Sequence, residues 1–254
     1  MTLVSKEYSH TYTLTAGECN PQAMMPVTLF AARAIEVATF HANSLGAGYD
    51  RLISDGLAWV LSRLSIEMYR SPEVNSQYTL HTWIEGFNRH FSERNFEMTD
   101  SRGEVIGHAR SVWMAINIKE RRAADLAMLE SLRDSVSEKV CPMEKMTRFV
   151  PVVAAEGVEE SRYRFRYCDC DFNRHVNTMR YMELLLNCRD MDFYDNHRVG
   201  RFDIAFMHEA KFGEEATVRL ADAGDGSFNA EISGGDVCYS RGRLRFVDLK
   251  YRKK

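Results

Sequence analysis

Residues 163–188 read YRFRYCDCDFNRHVNTMRYMELLLNC, and residues 12–37 read YTLTAGECNPQAMMPVTLFAARAIEV. A shift of 151 positions places the second stretch on the first and aligns residues of similar character. The aligned pairs are Tyr12 with Tyr163, Leu14 with Phe165, Glu18 with Asp169, Cys19 with Cys170, and Phe30 with Tyr181. Each match is weak alone, but together they predict two copies of one structural unit.

The N-terminal copy begins with a strand and a helix. Alternating residues over Tyr8–Thr15 predict the strand, and apolar residues at helical spacing over Val27–Asn43 predict the helix. Several runs rich in β-branched and aromatic residues then predict strands. These runs are Trp59–Tyr69, Tyr78–Ile84, Phe91–Thr99 and Val105–Asn117.

The C-terminal copy repeats this order. A short strand is predicted at Tyr163–Tyr167, and apolar residues from Tyr181 to Cys188 recur at helical spacing. Further strands are predicted at Asp203–His208, Ala216–Ala221, Phe228–Ser233 and Gly242–Tyr251. A long helix wrapped by a bent antiparallel sheet is the economical packing of each copy, which makes the fold α+β. The predicted domains are 1–137 and 158–254, joined by a polar linker at 138–157 that contains Pro142 and Pro151.

Composition excludes several classes of protein. With 45% apolar and 27% charged residues the chain is globular, and a net charge of −3 argues against nucleic acid as a partner. The longest uncharged run, residues 19–32, is too short to span a membrane. Charged residues at positions 6 and 7 argue against a signal peptide, so we expect a cytoplasmic protein. The six cysteines form no CxxC pair, and neither a metal nor a cofactor is expected.

The chemically informative segment joins the C-terminal strand to its helix. Asp171, Asn173 and His175 lie on a predicted turn that leads into a helix N-terminus, where backbone amides favour developing negative charge. Such a site offers a base for water and donors for an oxyanion, as thioester hydrolysis requires. In the alternative interpretation, Asn173 or Asn177 only caps the helix and Asp171 closes an Asx-turn.

The N-terminal copy helps to decide between these interpretations. At the corresponding positions it carries Asn20, Gln22, Met24 and Pro26, so the scaffold is kept without ionisable groups. The groups therefore look like a feature of one site rather than of the fold, which favours the functional interpretation.

The same segment resembles a known family. Asp171–Asn177 followed by Tyr181 is similar to the D-x-N-x-H-V-N-N…Y motif of the acyl–acyl carrier protein (acyl-ACP) thioesterases of plants and bacteria. Residues 59–72 resemble the family's W-V-x-x-R…E…R-x-P strand, and the similarity extends over about residues 8–250. The resemblance implies a double hot-dog fold and hydrolysis of fatty acyl-ACP to free fatty acid and carrier thiol.

The resemblance also implies a glutamate about 34 residues beyond the motif histidine, on a strand. Here that residue is Glu209, and an offset of 139 pairs it with Arg70 in the N-terminal half. Plant members carry a cysteine after this glutamate where this chain has Ala210, which argues against a Cys–His mechanism. Asp171 and Glu209 would then activate water while Asn173 and His175 position the groups, or Asp171 would attack directly to form an anhydride.

The N-terminal domain of this family selects the length of the acyl chain. We therefore expect its apolar residues to line an acyl tunnel; the candidates are Met24, Met25, Phe30, Ala34 and Trp59. Two alternatives stay open: an acyl-CoA thioesterase with the same site, and a non-catalytic protein that binds acyl groups or the carrier. A homodimer is also left open.

Overall fold

The computed structural model describes the backbone of residues 5–249 and the side chains of residues 5–126 and 132–249. The chain folds into two compact units that divide between Lys145 and Met146, within the segment predicted as a linker. The family's assignment of acyl binding to the first unit and catalysis to the second stays a prediction.

The N-terminal unit is an antiparallel sheet with a long helix packed on it. Its strands lie in the order β1-β3-β4-β5-β2, and a short β6 pairs with β5. The elements are β1 (Glu7–Thr13), α1 (Val27–Ser44), α2 (Tyr49–Ser54), β2 (Leu57–Met68), β3 (Gln77–Phe87), β4 (Ser92–Asp100), β5 (Val105–Asn117) and β6 (Arg122–Ala123).

The C-terminal unit repeats this topology. Its strand order, β7-β9-β10-β11-β8, is that of the N-terminal unit, strand for strand. The elements are β7 (Glu159–Arg164), α3 (Thr178–Leu186), α4 (Met191–Asn196), β8 (His197–Phe206), β9 (Glu215–Asp222), β10 (Ser227–Gly234) and β11 (Val237–Asp248). The predicted duplication is confirmed.

The expectation of two long helices is wrong for the C-terminal unit. α3 has nine residues against 18 in α1, and Cys188 lies beyond its end. The chain turns after Asn187, and the Asp190 carboxylate caps α4 by accepting a hydrogen bond from the amide of Phe193 at 2.9 Å. Because this cap lies so soon after the end of α3, the chain begins a new helix instead of continuing α3.

Two C-terminal strands also begin earlier than predicted. β8 begins at His197 rather than Asp203, and β11 begins at Val237 rather than Gly242. Polar residues on the less buried face of these strands interrupt the apolar alternation from which strands are recognised. The predicted end of the last strand, Tyr251, lies outside the described residues.

Close packing between α1 and its sheet depends on a glycine. The helix buries a stripe that includes Phe30, Ala31 and Ala34. A Cβ at Gly107 on β5 would lie 3.0 Å from the ring of Phe30 and 2.8 Å from the carbonyl oxygen of Glu67. Only glycine therefore lets the helix approach this closely.

Part of the predicted linker covers the opposite face of the N-terminal sheet. Trp83 is fully buried there against Cys141 and Met143. The guanidinium of Arg110 donates hydrogen bonds to the carbonyl oxygens of Cys141 at 2.8 Å and Met143 at 2.7 Å. This segment is thus fixed to the N-terminal unit by apolar and polar contacts.

His41 and Arg94 form a buried polar pair between α1 and β4. Nη1 of Arg94 donates to Nδ1 of His41 at 2.8 Å, and Nε2 of His41 lies 3.0 Å from the carbonyl oxygen of Ser5. Because Nδ1 accepts, Nε2 carries the proton and donates, so the imidazole is neutral. Burial, reinforced by the charge of Arg94, lowers the pKa of His41 to about 4.

We expect this histidine to reduce stability in acid. Between about pH 6.5 and pH 4 the unfolded chain binds a proton that the folded chain excludes. The free energy of unfolding therefore falls as the pH falls through this range, by at most about 1.4 kcal/mol per pH unit. His41→Gln keeps a donor and an acceptor but gains no proton, so its stability should depend less steeply on pH. Urea unfolding of both proteins from pH 7 to pH 4.5 measures the two slopes, and equal slopes would contradict the assignment.

Candidate active site

A tight loop between β7 and α3 carries three of the candidate catalytic residues. The amide of Asp171 donates to the carbonyl oxygen of His175 at 2.8 Å. Oδ1 of Asp171 accepts hydrogen bonds from the amides of Asn173 at 2.9 Å and His175 at 3.2 Å. Arg174 has a φ of +65°, the left-handed conformation that lets the chain reverse here. The loop therefore closes on the side chain of Asp171.

The N-terminal unit contains the same loop without the charge. The amide of Asn20 donates to the carbonyl oxygen of Met24 at 2.8 Å, and Oδ1 of Asn20 accepts from the amide of Met24 at 2.9 Å. Ala23 has a φ of +54°, matching Arg174. An asparagine oxygen thus closes this loop as well as a carboxylate does, so the fold does not require the charge of Asp171.

His175 and Glu209 form the second part of the site. Residues 175 and 211 form an antiparallel bridge that brings the loop beside the segment after β8. Nε2 of His175 lies 3.4 Å from Oε2 of Glu209, and the two side chains are 20% and 37% exposed. Glu209 follows the end of β8 rather than lying within a strand as the resemblance implied. The pair is accessible to water.

Asn173 completes the group. Its Nδ2 atom lies 3.5 Å from Oδ2 of Asp171, and the residue is exposed. The structure thus brings the four predicted residues together on the loop and the adjoining segment, with a nitrogen donor beside each carboxylate. Among the side chains of residues 5–126 and 132–249, no group of histidine, cysteine and carboxylate side chains has the arrangement of a metal site.

The alternative interpretation, in which loop residues cap the helix or close a turn, describes Asn177 and Asp171 correctly. Oδ1 of Asn177 caps α3 by accepting from the amide of Met179 at 2.8 Å, and Asp171 closes an Asx-turn. Neither role involves the side chain of His175 or that of Glu209. Capping also occupies the amides of Met179 and Arg180, whereas the amide of Thr178 has no acceptor within residues 5–249. Of the expected oxyanion donors at this helix end, the Thr178 amide is the one left available.

Tyr181 holds the segment that carries Glu209. Its buried hydroxyl accepts a hydrogen bond from the amide of Ala210 at 2.9 Å, and the carbonyl oxygen of Ala210 accepts from Val176 at 2.8 Å. Burial raises the pKa of Tyr181, so the phenol stays neutral. Ala210 is fully buried. The sequence placed Tyr181 in the motif and in the helical stripe but did not predict this positioning role. The signal was its hydroxyl, which is absent from Phe30 at the same position of the N-terminal copy.

Matching hydrogen bonds correct the pairing of Glu209 with Arg70. The amide of His208 donates to the carbonyl oxygen of Tyr239, and that of Arg70 donates to Ile106 in the same pattern. His208 therefore corresponds to Arg70, and Glu209 to Ser71. Since serine has no carboxylate, only the C-terminal unit has a carboxylate at this place.

The candidate acyl-binding residues lie in two separate places of the N-terminal unit. Phe30 and Ala34 are buried along the first turns of α1, and just before this helix Met25 is buried and Met24 is partly buried. Trp59 packs against another cluster around Leu57, and its indole nitrogen donates to the carbonyl oxygen of Ala47 at 2.9 Å. The structure therefore separates Trp59 from the other four.

Sequence models of known families cover most of the chain. The model described as the acyl-ACP thioesterase N-terminal domain matches residues 5–132, and that of the C-terminal domain matches residues 153–235. The chain belongs to the acyl-ACP thioesterase family.

Solved structures agree with this family. An acyl-ACP thioesterase from Bacteroides thetaiotaomicron is 30% identical, with a TM-score of 0.88 over 95% of this chain and 98% of that one. The 12:0-ACP thioesterase from Umbellularia californica shares the fold at 18% identity, with a TM-score of 0.83 over 98% of this chain and 100% of that one. The expected double hot-dog fold is confirmed.

Plant members of the family are longer than this chain. The chloroplastic oleoyl-acyl carrier protein thioesterase 1 of Arabidopsis thaliana is 25% identical over 226 residues, which are 80% of this chain and 60% of that protein. Within residues 5–249, no helix is long and apolar enough to cross a membrane.

The internal duplication provides a matched test of the two carboxylates. Asp171→Asn should keep the loop intact, because Asn20 closes the same loop in the N-terminal unit. We expect Asp171→Asn and Glu209→Gln each to lower the turnover number for an acyl thioester by roughly 10²-fold or more, the scale of a lost acid or base. The measurement is thiol release, with melting temperatures as a check on folding.

Asn20→Asp is the control, since it places the same charge in the loop that lacks the other groups. It should leave turnover unchanged. Folded variants that both keep most of the wild-type rate would show that the site lies elsewhere.

Proposed function

We propose that this protein hydrolyses the thioester of fatty acyl-ACP and releases a free fatty acid and the carrier thiol. The observation that carries the proposal is the asymmetry of the two matching loops. Both copies keep the same hydrogen bonds, but only the C-terminal loop has Asp171, His175 and the nearby Glu209. Membership of the acyl-ACP thioesterase family, with matches in both units, supports it.

In the proposed reaction Glu209 accepts a proton from water, and the water oxygen attacks the thioester carbon. Nε2 of His175, 3.4 Å from the Glu209 carboxylate, orients that group. Asn173 and the free amide of Thr178 stabilise the negative oxygen of the tetrahedral intermediate. When the carbonyl reforms, the C–S bond breaks and the thiolate leaves, which requires little acid assistance because thiols have low pKa values.

The position of Asp171 favours attack by water over direct attack by this carboxylate. Its Oδ1 atom accepts two amide hydrogen bonds from its own loop, and its Oδ2 atom faces Nδ2 of Asn173. A nucleophilic carboxylate would have to give up these contacts to form an anhydride. We therefore assign to Asp171 the positioning of Asn173 and of water, and to Glu209 the proton transfer.

Two other functions remain as alternatives. An acyl-CoA thioesterase would use the same site, because the reacting thioester and the phosphopantetheine arm are common to both substrates. A protein that binds acyl groups or the carrier without turnover would use the fold alone. A homodimer and a cytoplasmic location stay predictions.

Release of thiol tests the proposal directly. Wild-type protein is mixed with acyl-ACP and, separately, with acyl-CoA that carries the same acyl group, and free thiol is followed with a chromogenic disulfide. We expect turnover with both and a higher kcat/KM with acyl-ACP. A preference for acyl-CoA would support the first alternative. Binding of acyl-ACP without thiol release would support the second.

The place of the acyl chain can be tested with paired substitutions. Each CH₂ group buried by the substrate is worth about 0.8 kcal/mol, so blocking the end of an apolar tunnel should shift preference toward shorter chains. We expect Ala34→Phe or Ala31→Phe on α1 to do so while the best shorter substrate keeps a comparable kcat. Ala115→Phe, in the cluster that contains Trp59, probes the second location.

The measurement is a rate profile from about C8 to C18 for variants that remain folded; Ala→Leu at the same positions serves where phenylalanine overpacks the core. A shift only with Ala115→Phe would place the chain beside Trp59. Equal loss at all lengths would indicate disruption of the core, and an unchanged profile throughout would exclude this unit as the acyl site.

A further inference from the structure

Exposed aromatic side chains surround the candidate active site. Tyr167 is 85% exposed, Phe172 is 76% exposed and Phe212 is 68% exposed. Phe172 follows Asp171 directly, and Phe212 is three residues beyond Glu209. Large apolar surfaces held in water in this way are typical of interaction sites.

Backbone hydrogen bonds place the three segments with these residues side by side. The amide of Gly213 donates to the carbonyl oxygen of Phe165 at 2.9 Å, which joins the Phe212 segment to the end of β7. The amide of Val176 donates to Ala210 at 2.8 Å, which joins it to the catalytic loop. The segments that carry these aromatic residues are therefore neighbours in the C-terminal unit.

Basic residues are interleaved with the aromatic ones. Arg162, Arg164 and Arg166 alternate along and just beyond β7, which ends the strand order of its unit, and all are exposed. Arg174 in the catalytic loop and Lys211 beside Phe212 are also exposed. Among the side chains that the structure describes, none of these five forms an ion pair, and Nε of Arg164 donates to the carbonyl oxygen of Gly213 at 3.2 Å. Together with Tyr167, Phe172 and Phe212 they form what we call the aromatic–basic rim.

Acidic residues near the rim offset part of this charge, since Asp171 and Glu209 lie on the same segments as Arg174 and Lys211. Glu215 is the cross-strand neighbour of Arg164. The carboxylate of Glu214 is occupied by the hydroxyl of Tyr239 at 2.9 Å and the amide of Lys211 at 3.2 Å. In a chain with a net charge of −3, the rim is a local concentration of positive charge.

The duplication shows that the fold does not need this rim. By the same hydrogen-bond correspondence, the N-terminal copy has neither a basic nor an aromatic residue at these eight positions. Its residues there are Thr11, Thr13, Thr15, Ala16, Pro21, Ala23, Glu73 and Val74. Its matching edge strand β1 forms without arginines, so protection of a strand edge does not account for those on β7.

We propose that the aromatic–basic rim docks the carrier protein, through an acidic face with an apolar patch, so that its acyl arm reaches Glu209. This inference rests on the proposed function and adds the surface that selects the carrier. Exposed arginine and tyrosine side chains are the residues that protein interfaces favour. The charges also raise the rate of encounter with an acidic partner.

The shape of the rim favours a protein over the nucleotide of CoA. Side chains two apart on a strand are about 7 Å apart, so Arg162 and Arg166 lie roughly 13 Å apart on an exposed edge. A nucleotide would be held in a concave pocket that buries it. One groove of this unit, of about 340 Å³, is lined by other residues, including Val152, Arg219 and Glu231.

Charge reversal outside the catalytic group tests the docking. Arg162→Glu/Arg166→Glu keeps the β7 edge charged but reverses its sign, and Tyr167→Ser removes an exposed ring. We expect each to raise KM for acyl-ACP, the double variant by about tenfold or more, with kcat unchanged. KM for acyl-CoA with the same acyl group should stay within about twofold. In wild type, added NaCl should raise KM for acyl-ACP more than KM for acyl-CoA.

Arg245→Glu is the matched control, since Arg245 is exposed on β11, three strands from β7, in the same unit. Each Arg→Glu substitution, in the control or in the double variant, changes the net charge by the same amount. The control should leave KM for acyl-ACP and KM for acyl-CoA unchanged. An unchanged KM for acyl-ACP in the double variant would overturn the inference. An equal rise for acyl-CoA would also overturn it, because the rim would then bind the phosphates that the two substrates share.

Docking on the rim can be tested even if the protein does not hydrolyse acyl thioesters. If wild-type protein released thiol from neither substrate, binding of the carrier protein with its free phosphopantetheine arm, measured by biolayer interferometry, would still test the rim. Binding lost in the double variant and kept in Arg245→Glu would uphold docking. Equal binding by all three proteins would overturn it.

Discussion

The closure of a five-residue loop on the side-chain oxygen of its first residue is the constraint on which both halves of this protein depend. Asp171 and Asn20 accept the amide four residues ahead, and the left-handed residues Arg174 and Ala23 turn the chain in the same way. This loop sets the direction in which each helix leaves its strand. In the C-terminal half it also sets where His175 meets Glu209.

The two copies serve as internal controls for each other. A feature present in both, such as the loop or the strand order, is required by the fold. A feature present in one copy needs another explanation, and three such features meet at one place: the carboxylates, the Tyr181–Ala210 hydrogen bond and the aromatic–basic rim. In the N-terminal copy, Phe30 and Pro72 lack both the acceptor and the donor of that hydrogen bond. The chemistry and its supporting contacts therefore differ together.

Prediction from sequence succeeded where one physical pattern dominated a segment. The apolar stripe of α1 and the β-branched run of β5 predicted their elements closely, because each pattern is sustained over the whole element. It failed for α3, where the apolar spacing continued to Cys188 although the Asp190 cap starts another helix. Prediction from sequence also failed at the start of β8, because polar residues there interrupt the apolar alternation from which a strand is recognised.

The sequence by itself determined the duplication and the motif loop, because these depend on residues that are close along the chain. It also supplied Asp171, Asn173, His175 and, through the family resemblance, Glu209 as candidate reacting side chains. Only the tertiary structure decided that Glu209 lies 3.4 Å from His175, since that contact depends on how the segment after β8 pairs with a loop about 34 residues earlier. It also decided that Tyr167, Phe172 and Phe212 remain in water. A sequence shows that a residue is apolar, but exposure depends on every segment that packs around it.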